Sequence, residues 1–151
     1  MQPVPTFSRS VIVSHSAERM FRLVDDAEDY PQFLPWCSGV TVYERDETTT
    51  HARLDIDYKG LKSHLATRNT KQAPEHMHLA FSDGPFDRLE GDWHFHALGE
   101  SGCRVEFTLE FSFANRAIEA VLGPVFGHIA TSFVERFVER ADRIAAAERL
   151  A

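Results

Sequence analysis

Apolar and polar residues alternate along most of the chain, and this period of two predicts antiparallel strands. The segment TFSRSVIVSH, residues 6–15, predicts the first strand. Further strands are predicted at residues 39–46, 51–59, 62–72, 75–82, 88–97 and 102–113. In the last of them every second residue from Cys103 to Phe113 is apolar. One face of the predicted sheet is therefore apolar and has to be covered by another element.

Two segments change to the helical spacing of three to four residues. Ser16 is a suitable N-cap for a short first helix, and Asn115 for a long C-terminal helix that runs to about residue 149. The apolar stripe of the long helix consists of Ile118, Leu122, Val125, Phe126, Ile129, Phe133, Phe137, Ala141 and Ile144. Gly123 and Pro124 are expected to kink or interrupt its first turns. This helix is the element that covers the apolar face of the sheet.

The register between strands follows from which side chains share a face, because a shift by one residue turns a strand over. A two-residue turn at Gly60 and Leu61 gives one consistent face, made of Ala52, Leu54, Ile56, Tyr58, Ser63, Leu65, Thr67 and Asn69. The next hairpin turns at DGPFD, residues 83–87, and places Met77 beside Trp93. Both hairpins then direct their apolar residues towards the long helix.

Length and composition fit one domain spanning residues 1–151. Hydrophobic residues make up 43% of the chain, and its 12 phenylalanines predict a bulky core or a lined cavity. The formal net charge of −7 opposes unspecific attraction to nucleic acid or anionic membranes. Cys37 and Cys103 lie outside any CxxC motif and are expected to stay reduced. The N-terminal segment MQPVPTFSRS has no basic region followed by an apolar run, which predicts a soluble, cytoplasmic protein.

Several motifs occur in a fixed order along nearly the whole chain. They are YPQFLPWC at 30–37, LATRN at 65–69, DGPF at 83–86, LEGDWHF at 89–95, CRVEFTLEFSF at 103–113 and FVERA at 137–141. Together they resemble the RatA and coenzyme Q-binding protein family, which is part of the START-like superfamily. The resemblance implies an α+β helix-grip (START-like) fold, in which a curved antiparallel sheet wraps around a long C-terminal helix.

The resemblance implies two roles. One is binding ubiquinone or a related lipid in support of respiration. The other is that of a RatA-type toxin, which binds the large ribosomal subunit and blocks subunit association. The superfamily also includes polyketide cyclases and dehydrases, although a fold by itself does not determine chemistry.

In such a fold a single helix on a strongly curved sheet leaves a tunnel unless side chains fill it. The candidate ligand-binding residues by face are Leu54, Ile56, Tyr58, Leu65, Leu79, Phe81, Trp93, Phe107, Leu109, Phe111, Leu122, Phe126, Ile129 and Phe133. For each residue the alternative is an ordinary place in the core. Tyr58, Thr67 and Asn69 are polar groups predicted to face inward, where they hydrogen-bond either to one another or to the carbonyl oxygens of a ligand.

The aromatic loop after the first helix has two interpretations. In the helix-grip arrangement Tyr30, Phe33, Leu34, Trp36 and Phe86 lie near the cavity mouth. They form either a gate, which can dip into a bilayer to collect a quinone, or a plug that closes one end of the core. Because burying a Trp or Phe side chain stabilises by about 1.5–3 kcal/mol, leaving several of these rings in water is unfavourable.

Histidines gather on the predicted outer face of the sheet. The second hairpin places His76 opposite His94 and His78 opposite Asp92. Such a group is able to bind zinc or nickel, and the alternative is a solvated surface. Because the spacing fixes no closed set of ligands, no metal site is predicted.

Basic residues follow the first hairpin. Its predicted register sets Arg53 opposite Arg68 and Lys59 opposite Lys62, and Lys71 continues the line. Like charges that face each other cost stability, and a polyanion such as ribosomal RNA relieves that cost. These five residues are therefore candidate RNA contacts, with a solvated charged face as the alternative.

Catalytic signatures are missing from the sequence. It contains no GxSxG, HExxH, phosphate-loop or GxGxxG motif, and no inward Asp, Glu or His is evident in the strands. We therefore predict a protein without catalytic residues or a required cofactor, which binds or carries a hydrophobic small molecule such as ubiquinone. A RatA-type ribosome-binding toxin is the alternative, and a small-molecule cyclase or dehydratase the third hypothesis.

Overall fold

The computed structural model describes residues 6–150. Residues 1–5 and 151, which the predicted domain includes, lie outside the described residues. The elements are β1 Thr6–Val13, α1 Ala17–Asp25, a 3₁₀ helix Ala27–Gln32, β2 Cys37–Arg45, β3 Thr49–Tyr58, β4 Leu61–Gln72, β5 His76–Asp83, β6 Phe86–Ala97, β7 Cys103–Phe113 and α2 Arg116–Leu150. The predicted strands and helices are present, and their ends shift by no more than two residues.

The seven strands form one antiparallel sheet in the order β1-β7-β6-β5-β4-β3-β2. Strands β2 to β7 are neighbours in chain order, and β1 joins the sheet beside β7. Helix α2 lies against the apolar face, where its buried residues share one core with those of the strands. The predicted α+β helix-grip architecture is confirmed.

Side-chain caps begin both α-helices at the predicted places. The Ser16 hydroxyl accepts a hydrogen bond from the Arg19 N–H at 3.1 Å, and the Asn115 side chain accepts one from the Ile118 N–H at 2.9 Å. Each cap satisfies a backbone donor that has no partner within the helix.

Helix α2 continues through Pro124, so the predicted interruption does not occur. A proline removes one backbone hydrogen bond, here to the carbonyl of Ala120, and both residues are exposed to water that can replace it. By length and composition alone α2 is also long and apolar enough to cross a membrane. In this fold its apolar side packs on the sheet.

The two predicted hairpin registers have different outcomes. Between β5 and β6 the prediction is confirmed, with Met77 opposite Trp93. Between β3 and β4 it is wrong by two residues, because the turn is at Lys59 and Gly60, and Leu54 lies opposite Leu65. Both turn residues have positive φ, 52° and 86°, as a type I′ turn requires, and glycine adopts this conformation more readily than leucine. A shift of two residues keeps every side chain on its predicted face.

One end of the core is closed by an aromatic plug, which consists of Tyr30, Phe33, Trp93, Phe133 and Phe137. Phe137 is fully buried, and its ring centroid lies 5.1–5.4 Å from those of the other four residues. The four contacts have near-perpendicular ring planes, the edge-to-face geometry that aromatic quadrupoles favour. The rings of Tyr30 and Phe33, in the loop after α1, therefore pack on Phe137 and close the core at this end.

Candidate ligand cavity

A cavity lies between the apolar face of the sheet and α2. Its walls are Trp36, Leu54, Ile56, Leu65, Thr67, Leu79, Phe86, Leu89, Phe107, Leu109, Phe111, Phe126, Ile129, Ala130 and Phe133. The strands supply mostly alternate residues because successive side chains point to opposite faces of a sheet. Helix α2 supplies residues three, four and seven positions apart, which share one side of a helix.

The cavity is small and its walls are almost entirely hydrocarbon. The cavity has a volume of about 80 Å³. The atom-free space is about 690 Å³ when its openings to solvent are included. Only Thr67 and Trp36 among the wall residues have a polar side-chain atom. The indole Nε1 of Trp36 is buried and has no hydrogen-bond partner within residues 6–150. A buried donor without a partner costs free energy.

Most of the predicted ligand-binding residues lie in the cavity wall. They are Trp36, Leu54, Ile56, Leu65, Phe86, Phe107, Leu109, Phe111, Phe126, Ile129 and Phe133, together with Leu79 and the inward polar residue Thr67. The sequence reasoning missed Leu89 and Ala130 as wall residues. Leu89 follows from the confirmed alternation of β6, whereas a small residue such as Ala130 carries no sequence signal for a cavity.

Other predicted ligand-binding residues lie outside the wall. They are Phe33, Leu34, Tyr58, Phe81, Trp93 and Leu122. Trp93 and Phe33 belong to the aromatic plug, and Leu34 is fully buried in the core. The ring of Tyr58 packs against His128 at 5.2 Å, and that of Phe81 against Phe86 at 6.2 Å. Tyr58, Phe81 and Trp93 lie on the covered face of the sheet as predicted, and each packs against a neighbouring ring instead of lining the cavity.

The loop after α1 packs on the core in this structure. Tyr30, Leu34 and Trp36 are 7%, 0% and 4% exposed. The Tyr30 hydroxyl donates to the backbone carbonyl of Val24, at the end of α1. Phe86, the fourth buried residue of the predicted rim, packs edge-to-face on Phe126 with ring centroids 4.8 Å apart. These four side chains are buried, and Phe33, the fifth residue of the predicted rim, is half-buried.

The predicted line of like charges on the first hairpin does not form. Because the register differs, Arg53 lies opposite Ala66 and Arg68 opposite His51. Each arginine has a carboxylate instead: Arg53 Nε lies 2.8 Å from Asp55, and Arg68 Nη1 2.8 Å from Glu44.

Lys71, which was also predicted to contact RNA, is buried. It lies on the covered side of β4 and is 7% exposed, with its ammonium 3.2 Å from Asp25. Lys59 and Lys62 remain exposed at the β3–β4 turn, and neither has an ion pair within the described residues. Lys59 and Lys62 are therefore the remaining candidate RNA contacts on this hairpin.

No Asp, Glu, His, Lys, Arg, Tyr or Cys belongs to the cavity wall within residues 6–150. A cyclase or dehydratase that uses general acid–base chemistry needs such a group within reach of its substrate. Cys37 and Cys103 are buried free thiols. Burial raises the pKa of the Cys37 thiol to about 11, which keeps it protonated and unreactive near neutral pH. The wall of this cavity therefore offers a ligand mainly apolar contacts.

The helix-grip fold and its apolar cavity indicate a START-like protein. A comparison with known protein families gives the same class. The family described as polyketide cyclase / dehydrase and lipid transport matches residues 13–138. The chain belongs to this START-like family, as its motifs predict.

Comparison with individual proteins shows which members of the family resemble this chain. The ribosome association toxin RatA of Escherichia coli K12 is 38% identical over 141 residues, which cover 93% of this chain and 89% of that protein. The mitochondrial coenzyme Q-binding protein COQ10 homolog B of Xenopus laevis is 25% identical over 91% of this chain, which spans 58% of its length. The crystal structure of the Zhui aromatase/cyclase from Streptomyces sp. R1128 has a TM-score of 0.80 at 15% identity, covering 93% of this chain and 95% of that one. This last similarity shows a shared fold.

Proposed function

We propose that the chain is a non-enzymatic binding protein that holds an apolar small molecule, ubiquinone or a related lipid, in the cavity between the sheet and α2. The observation that carries this proposal is the composition of the cavity wall, in which only Thr67 and Trp36 have a polar side-chain atom. Removing apolar ligand surface from water contributes about 25 cal/mol per Å². The name of the coenzyme Q-binding relative supports the same class of ligand.

Specificity comes from the two polar groups of the wall. An unpartnered indole N–H is suited to a ligand that brings a hydrogen-bond acceptor and no donor, such as a quinone carbonyl. A ligand made only of hydrocarbon leaves the Trp36 donor unsatisfied, so the site favours a quinone head over a plain alkyl chain.

A long ligand requires a wider cavity than the closed one. The volume of 80 Å³ in this structure is well below the roughly 300–1,000 Å³ of a pocket that encloses a drug-sized ligand. A whole isoprenoid quinone therefore enters only if wall side chains change rotamer. The rings of Phe86 and Phe126, which both line the cavity with centroids 4.8 Å apart, are side chains whose separation would widen it.

The first test is mass spectrometry of the organic extract from protein purified without detergent, measured per mole of chain. We expect quinone or a related lipid in the extract, or uptake of added ubiquinone by protein that yields a clean extract. Neither retention nor uptake would overturn the proposal.

A cavity-filling substitution locates the ligand. Ala130→Leu adds three carbon atoms to the cavity wall, and we expect it to lower ubiquinone retention by about 10- to 100-fold, since overfilling a site costs about 1–3 kcal/mol. Ala120→Leu adds the same atoms on the exposed side of α2 and should leave retention unchanged. Equal retention by the two variants would place the ligand outside this cavity.

The second candidate function is association with the large ribosomal subunit. It is favoured by 38% identity, over most of both chains, to a relative named ribosome association toxin. In this case the exposed lysines Lys59 and Lys62 at the β3–β4 turn are the candidate polyanion contacts.

Sedimentation with purified large subunits tests this second candidate. Lys59→Glu combined with Lys62→Glu should weaken cosedimentation and lower its dependence on salt, because fewer counterions are released on binding. Arg143→Glu combined with Arg149→Glu makes the same charge change at the far end of α2 and serves as the control. Absence of cosedimentation for the unchanged protein would remove this candidate.

A further inference from the structure

Three metal-ligating side chains converge on the face of the sheet opposite the cavity. His76 on β5 lies directly across from His94 on β6, and their rings stack with centroids 4.4 Å apart and planes within 7°. Asp92 precedes His94 by two residues and shares its face, with its Oδ1 2.7 Å from Nε2 of His76. One ligand atom from each of these three residues lies within 4.8 Å of the other two.

The geometry points to a binding site for one divalent transition-metal ion, held by His76, Asp92 and His94. Two imidazoles and one carboxylate suit Zn²⁺, Ni²⁺ or Co²⁺, whereas Mg²⁺ and Ca²⁺ prefer oxygen ligands. With bonds of about 2.0–2.1 Å, ligand atoms around a tetrahedral zinc ion are about 3.3 Å apart. To reach that spacing the two imidazoles have to rotate out of their stacked arrangement, and the fourth position is then left to water.

The surroundings of the three ligands support a site rather than a chance cluster. His78 Nδ1 lies 3.0 Å from the same Asp92 oxygen, so a fourth side chain orients the carboxylate as outer partners of metal ligands do. His76 and His94 also line a groove open to solvent, which gives an ion access. Glu18 and Glu75 lie in that groove and add negative potential at the entry.

The backbone beneath the three ligands is fixed by the core. Met77, Trp93 and Phe95 alternate with the ligands along β5 and β6, and each is at most 2% exposed. Their packing holds the ligand-bearing strands in register, so an ion has to order only the side chains. The site lies on the opposite face from the cavity wall and is independent of the proposed ligand.

Zn²⁺ titration of protein without an affinity tag, followed by calorimetry, tests this proposal. We expect saturable uptake of one ion per chain, unaffected by excess Mg²⁺. His94→Gln and Asp92→Asn should each weaken uptake by about tenfold or more. Co²⁺ should show the visible absorption of a site with nitrogen and oxygen ligands, and this band should be lost in both variants.

The matched control is His64→Gln. His64 lies 3.1 Å from Asp83 and forms a similar histidine–carboxylate pair, yet no group of three ligands that includes it occurs among the described residues. This variant should bind Zn²⁺ like the unchanged protein. Absence of saturable uptake, or an equal loss in His64→Gln and His94→Gln, would overturn the assignment. Unchanged amide spectra of the variants show that any loss does not come from unfolding.

Discussion

Replacing Phe137 with alanine is expected to lower the free energy of unfolding by about 3–5 kcal/mol, the usual range for deleting a large buried aromatic ring. Phe137 is fully buried and contacts the other four residues of the aromatic plug, Tyr30, Phe33, Trp93 and Phe133. They come from three elements: Tyr30 and Phe33 from the segment after α1, Trp93 from β6, and Phe133 from α2 itself. The neighbours are therefore poorly able to collapse into the space, and chemical denaturation measures the loss.

Phe7→Ala is the control for this prediction. The ring of Phe7 is half-buried, and its ring contact within residues 6–150 is with Phe107 at 6.4 Å. Its removal should cost about 1 kcal/mol, roughly half of a fully buried side chain. If Phe137→Ala costs no more than Phe7→Ala, the loop after α1 does not stabilise the core, and a mobile gate becomes the better interpretation.

Asp25→Asn is expected to destabilise the protein by about 3 kcal/mol, because it leaves a buried cation without its counter-charge. The Lys71 ammonium lies 3.2 and 3.3 Å from the two Asp25 carboxylate oxygens, and its side chain is 4% exposed. Thr50 donates a further hydrogen bond to Asp25 at 3.3 Å. Asp25 lies at the C-terminal end of α1, where the helix dipole disfavours a carboxylate. The ion pair with Lys71 on β4 accounts for the presence of Asp25 there.

A double-mutant cycle separates the ion pair from simple burial. Lys71→Met should cost less than Asp25→Asn, because Asp25 is 21% exposed and keeps access to water. Combining the two substitutions should restore most of the lost stability, since no buried charge is then left alone. Glu110→Gln, which breaks the exposed contact to Arg88 at 3.0 Å, should cost less than about 1 kcal/mol. Additive losses in the double variant would show that Asp25 and Lys71 do not interact.

The pairing of two strands was predictable from the sequence where only one register places their apolar side chains on the same face. A shift by one residue between β5 and β6 would turn Met77 or Trp93 into solvent, so that register followed from the sequence. Between β3 and β4 a shift of two residues keeps every face unchanged. There the outcome depends on the backbone of Lys59 and Gly60, whose positive φ values favour a turn one residue earlier than predicted.

The strand side of the cavity wall was predictable, and the end of the cavity was not. Leu109 and Phe111 follow from the alternation of β7, which assigns them to the covered face. Leu34 and Trp36 lie in an irregular loop without a period, and only Trp36 reaches the cavity. Trp93 lies on the face of the sheet that the sequence predicts. It does not line the cavity, because the rings of Phe107 and Phe133 pack against its ring with centroids 4.5 and 5.7 Å away.

The sequence by itself determined the fold class, the order of the elements and the face on which each strand residue lies, because these depend on periods within a few neighbouring residues. Only the tertiary structure decided that Lys71 is buried against Asp25 and that the Asp92 carboxylate contacts His76 as well as His78, which lies opposite it. It also decided which inward rings enclose a space and which fill one. The physical reason is that distance and packing between segments remote in the chain depend on how volumes fit together, which no local pattern encodes.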